Sequence, residues 1–93
     1  MTPLISINRH KAGLYEWKTI WGAEEFDGEI GDNSIQGCLI DAIGRMPESQ
    51  KLVEISYRGI HMGTFHAVEV RELTEDVAER MVANYAAFID SVS

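Results

Sequence analysis

Gly22-Ala23-Glu24-Glu25-Phe26-Asp27-Gly28-Glu29-Ile30-Gly31-Asp32 holds five carboxylates and no base in eleven residues. Glycines stand at 22, 28 and 31, and no apolar period runs through the stretch. It follows a segment of alternating apolar residues and precedes a helix-spaced apolar stripe. Read that way, it is an acidic surface loop joining a strand to a helix. The reading sets the architecture: a strand pair comes before it and a helix after.

Working back, Leu14 to Trp21 has the period of a strand, with Tyr15, Trp17, Thr19 and Trp21 on one side and Leu14, Glu16, Lys18 and Ile20 on the other. If the aromatic side meets helices it is core; if the other side faces inward, the aromatics form a flat exposed anchor. The commoner fate of strand aromatics is the core. Leu4 to Arg9 alternates too, with Ile5 and Ile7 together. Lys11-Ala12-Gly13 between the two segments reads as a hairpin turn, glycine supplying positive φ.

Working forward, Asp32, Asn33 and Ser34 each suit a helix N-cap. Ile35, Leu39, Ala42, Ile43 and Met46 then mark one helical face, and Pro47 ends it. Leu52 to Tyr57 is a third strand with Val53, Ile55 and Tyr57 inward. Gly59 to Gly63 reads as a hairpin loop or a bulged crossing, and Thr64 to Arg71 as a fourth strand. Thr74, followed by Glu75 and Asp76, opens a last helix whose stripe is Val77, Met81, Tyr85, Phe88, Ile89 and Val92. The order ββαββα predicts one α+β domain spanning residues 1–93. Its expected form is a two-layer sandwich, a four-stranded, mostly antiparallel sheet with two helices on one face.

Ninety-three residues with 45% apolar content support one modest core. A net charge of −7 and scattered bases argue against direct nucleic-acid binding and against anionic membrane surfaces. The single cysteine, Cys38, cannot form an intramolecular disulfide and points to a reducing compartment. With no signal sequence at the N-terminus and no membrane-length apolar run, the expected location is the cytoplasm.

Chemistry-bearing constellations are few. The carboxylate spacing fails the EF-hand pattern, since numbering from Glu24 puts Gly28 fifth and Ile35 twelfth. Gly28-Glu29-Ile30-Gly31 has the outline of a GXXG RNA-binding loop, but its flanking acids would repel phosphate. His10, His61, His66 and Cys38 lack zinc spacing. Neither a metal nor a cofactor is expected. Cys38 reads as a small buried hydrophobe, and no serine lies in a nucleophile-elbow setting. Glu54 and Glu69, on neighbouring predicted strands near Arg58 and Arg71, read as cross-strand ion pairs.

The remaining expectation is binding. Glu24, Glu25, Asp27, Glu29 and Asp32, with Phe26 and Ile30 among them, compose an interface in which apolar residues are ringed by charge. The leading expectation is a small acidic inhibitor, not an enzyme, that docks on a basic, nucleic-acid-handling surface of a larger protein. Compact acidic domains of this kind suit phage or mobile-element inhibitors of host defence, such as anti-CRISPR proteins that act as nucleic-acid mimics. One alternative is an antitoxin-like regulator that forms a homodimer through the sheet face or an edge strand. A second is a small hydrolase using Glu54, Glu69 or His66, which requires those side chains to converge.

Overall fold

The computed structural model of the chain describes residues 2–92. Three strands come first: β1 (Leu4–Lys11), β2 (Leu14–Trp21) and β3 (Glu24–Asp32). Helix α1 (Ile35–Gly44) follows, then β4 (Leu52–Tyr57) and β5 (Ile60–His66), and finally α2 (Ala67–Glu72) and α3 (Thr74–Val92). The fold is α+β, as expected, but its sheet is mixed and five-stranded, in the order β3-β2-β1-β4-β5. Among the described residues there are three helices rather than two.

Both differences have a local cause. The acidic stretch is not a loop. Gly22 (φ +63°) and Ala23 make a two-residue turn, and the chain returns as β3 against β2, pairing Trp21 with Glu24 and Trp17 with Glu29. At the other end, the predicted fourth strand starts at Ile60 and stops at His66. Arg58 (φ +53°) and Gly59 (φ +84°) make its turn, and Met62 bulges between the pairs Ile55–Gly63 and Ser56–His61. From Ala67 the buried residues are Ala67 and Val70, three apart, because this segment is helix α2.

The sheet is antiparallel except where β1 runs parallel to β4, with Ile5 beside Ile55 and Ile7 beside Tyr57. A parallel neighbour cannot be reached by a tight turn, and α1 provides the crossover. Its N-cap is Ser34, whose Oγ accepts from the Gly37 N–H at 3.0 Å. Thr74 plays a different part from the expected N-cap. Its buried hydroxyl donates to the Val70 carbonyl at 2.6 Å, tying the start of α3 to the end of α2.

The register places Ile5, Ile7, Trp17, Thr19, Val53, Ile55, Tyr57 and Phe65 on one face of the sheet. All are buried there beneath Leu39, Ala42 and Ile43 of α1, Val70 of α2, and Val77 and Met81 of α3. The aromatic side of β2 therefore faces the helices, with Trp17 fully buried at its centre. At about 1.5–3 kcal/mol for each large apolar side chain removed from water, this layer is the main source of stability. The opposite face carries Ser6, Asn8, Glu16, Lys18, Glu54 and Ser56, all half-buried, and no described helix packs over it.

Candidate functional site

β3 is an edge strand, so one side of its backbone is bonded to β2 and the other has no strand partner among the described residues. Glycine, aspartate and glutamate are poor strand formers, and β3 consists of little else. Tertiary pairing overrides that preference. A Cβ on Gly28 would lie 3.0 Å from the Trp17 carbonyl oxygen, so glycine permits the close approach of β3 to β2. Two bulges break the ladder, with Phe26 as the extra residue at one and Gly31 (φ +137°) at the other.

The acids sort into three groups. Asp27 and Glu29, opposite Thr19 and Trp17, share the helix side of β3. Arg45, the C-cap of α1, reaches both: Nη1 lies 3.3 Å from Asp27 Oδ1 and Nη2 lies 2.6 Å from Glu29 Oε2. The same guanidinium stacks over the Trp17 ring at 5.3 Å. Glu25 belongs to the open face, where Lys18 Nζ approaches it at 3.5 Å and Glu16 at 4.0 Å. Glu24, beside the turn, is exposed.

Asp32 stands apart from both. It lies half-buried at the end of β3, and its Oδ1 is 3.3 Å from where a Cβ on Gly37 would sit. Burial, then the hydrogen bond and negative charge of Asp41, push its carboxyl above the usual range. Cys38 lies beside the same pair, and burial and these carboxylates push its thiol up to about 12. Asp32 is thus part of the junction with α1, and the exposed interface candidate shrinks to Glu24–Ile30.

Within that span Phe26 is 60% exposed and Ile30 55%. Phe26 rests edge-to-face on Trp21, with ring centroids 6.2 Å apart. Phe26 and Ile30, together with Glu16, Lys18, Glu25 and Glu29, line a shallow depression of about 530 Å³ along the edge. Sequence reasoning named Glu25, Phe26, Glu29 and Ile30 as interface candidates but missed their strand geometry, and it missed Arg45 and Lys18, the bases that partly neutralise the patch. The two-residue turn Gly22-Ala23, flanked by Trp21 and Glu24, was the available signal.

The residues of the hydrolase alternative are not brought together. Glu54 lies on the open sheet face, where His61 Nε2 is 3.0 Å from its carboxylate. Glu69 is in the helix layer, bonded by Arg80 at 2.8 Å, and not on a strand beside Glu54 as expected. His66 is exposed at the end of β5, lining a different depression from Glu69. His10 pairs with Glu16 at 3.2 Å. Among the described residues, no group of three or more His, Cys, Asp or Glu side chains is placed to hold a metal ion. No described helix is long and apolar enough to cross a membrane.

Comparison with protein-family models, with curated proteins and with solved structures finds no match to this chain.

Proposed function

We propose that this chain is a small acidic protein-binding module of the reducing cytoplasm, which docks its β3 edge on the basic surface of a larger protein. The observation that carries the proposal is the edge itself: Phe26 and Ile30 stand exposed among Glu24, Glu25 and Glu29 on a strand with one open side. Apolar anchors supply affinity, and the surrounding charge supplies register and on-rate against a basic partner. The net charge of −7 extends that field over the whole domain.

Acids and bulges on an edge strand also have a protective role, since they keep sheets from pairing with one another. The two roles are compatible. A second acidic β3 is repelled, while a surface rich in Lys and Arg is attracted. The surfaces that natural proteins make most basic are those that handle nucleic acid, so blocking such a surface, as an anti-CRISPR type of inhibitor does, is the activity we assign.

The test is capture from the native host with the immobilised chain, comparing wild type with a Glu24→Lys, Glu25→Lys, Phe26→Ser, Ile30→Ser variant. These positions avoid Asp27 and Glu29, whose reversal would set lysines against Arg45. A partner retained by wild type, lost by the variant, displaced by added nucleic acid and weakened by salt supports the reading. Equal capture by the folded variant overturns it.

A further inference from the structure

The chain has eight bases against fifteen acids, yet half of the bases find no acid. Lys18, Arg45 and Arg80 pair with carboxylates, and Arg58 stacks over Tyr85 at 4.7 Å. Among the described residues the other four, Arg9, Lys11, Lys51 and Arg71, make no ion pair. Arg9 and Lys11 stand exposed near the β1–β2 turn. Lys51 and Arg71 converge. With His66 they line one depression of about 320 Å³, bounded by the connection before β4, the end of β5 and α2.

Backbone bonds hold its walls in place. The Lys51 carbonyl accepts from the Ala67 N–H at 2.8 Å, and the Arg71 carbonyl accepts from the Thr74 hydroxyl at 3.2 Å. Gln50, on the same wall, donates its N–H to Pro47 O at 3.0 Å and its side-chain amide to Leu52 O at 2.8 Å. Both bases therefore project from positions the fold has already fixed.

Arg71 is half-buried. A guanidinium drawn partly out of water with no carboxylate beside it is unfavourable, and a second cation on the same depression adds repulsion. One bound anion relieves both. The β3 depression has the reverse lining, four acids and one base. Here Glu48 is the single acid against two bases and a histidine. We infer that this depression binds the phosphate of a small phosphomonoester, with Arg71, Lys51 and His66 as its recognition groups.

Charge and volume select that ligand class. A guanidinium fork grips carboxylate or phosphate alike, and an ammonium adds a point charge. A monoester dianion uses both cations, whereas a carboxylate neutralises only one. Its third oxygen is left for His66, whose side chain makes no capping bond to α2. The depression is larger than a bare phosphate needs and lies at the low end of small-molecule sites. Ala67 and Val68 give the rest of the ester an apolar wall. The site lies toward the β5 edge of the sheet, opposite β3, so it is independent of docking there.

The test follows backbone amide NMR shifts of the whole chain at about pH 7.5, where a phosphomonoester is mainly dianionic. The probes are phenyl phosphate, inorganic phosphate and benzoate. Saturable shifts are expected at Lys51, His66, Ala67 and Val68. Phenyl phosphate should bind about fivefold tighter than inorganic phosphate, which lacks the apolar part, or benzoate, which lacks the second charge. Lys51→Gln with Arg71→Gln should weaken it about tenfold or more, and Lys51→Gln alone, at an exposed residue, should move it the same way. Arg9→Gln with Lys11→Gln, the other unpaired bases, should leave it unchanged, and Glu48→Gln should tighten it. Absence of a saturable shift up to about 20 mM phenyl phosphate overturns the inference, as does unchanged affinity in the folded Lys51→Gln, Arg71→Gln variant. Benzoate binding as tightly as phenyl phosphate overturns the choice of phosphate. A phosphoserine peptide binding about tenfold tighter than phenyl phosphate overturns the choice of a small molecule.

Discussion

Arg45 Nη2 lies 2.6 Å from Glu29 Oε2, across a separation of sixteen residues. With its second bond to Asp27 and its stacking on Trp17, Arg45 fastens the C-terminal end of α1 to the acidic edge strand. Each exposed ion pair contributes only about 0.2–1 kcal/mol, and the cation–π contact about 0.5–1 kcal/mol. Replacing Arg45 with Met is therefore expected to cost about 1–2 kcal/mol in urea unfolding. The larger effect is local. β3 amides should exchange with solvent faster while β1 and β4 keep their protection. Uniform loss of protection across the sheet would contradict this clamp.

Glycines 28 and 44 predict opposite outcomes for one substitution. Alanine at Gly28 drives its methyl to 3.0 Å from a backbone oxygen, so β3 must shift, at a cost of about 1–3 kcal/mol. Alanine at Gly44, the last residue of α1, meets nothing within 4 Å. There it should stabilise by about 0.4–1 kcal/mol, by restricting the unfolded chain. Thermal melts of the two variants should move in opposite directions. Movement in the same direction would refute the close-approach role of Gly28.

The periodic parts of this fold could be read in the sequence. Ile5 and Ile7, the aromatic side of β2, the stripe of α1 and the inward residues of β4 all alternate or recur, because each element has one buried face. β3 resisted the same reading for a physical reason. An edge strand is covered on neither outer surface at Glu24–Phe26, so burial imposes no alternation, and its partner β2 supplies the missing stability. The β5–α2 boundary was hidden differently. Phe65 is buried as part of a strand, whereas Ala67 and Val70 are buried as part of a helix, and averaging the two periods gave one long strand with conflicting faces. Of the candidate interface, Phe26, Ile30 and the acids were visible from composition. Arg45 was not, because only folding brings it to Glu29.

Thr74 joins two helices through one buried hydroxyl. Its Oγ1 donates to Val70 O at 2.6 Å and lies 3.2 Å from Arg71 O. Thr74→Val keeps the shape and leaves the Val70 carbonyl without this donor, at an expected cost of about 1–3 kcal/mol. Thr74→Ser, which retains the donor, should recover most of that loss. If valine and serine prove equally stable in denaturant titrations, the hydroxyl contributes nothing to the junction.

The Asp32–Asp41 pair beside Cys38 predicts how stability follows pH. Burial and the neighbouring carboxylate raise the Asp32 value in the folded state above the 3.8 of the unfolded chain. Between 3.8 and that raised value, the native state binds more protons than the unfolded one. The term ν_U − ν_N is then negative, so the contribution of Asp32 falls as pH rises through the window. At neutral pH the ionised carboxylate is a liability, and Asp32→Asn should stabilise the protein there. That advantage should shrink as pH drops through the raised value and be smallest below 3.8. Unfolding free energies measured for both chains from about pH 3 to pH 7 would show it. The same environment pushes the Cys38 thiol up to about 12, so a thiol reagent at pH 8 should label the native protein only as fast as it opens. An Asn variant with no gain at neutral pH, or rapid labelling of folded wild type, would show that the two carboxyls and the thiol are in open contact with water.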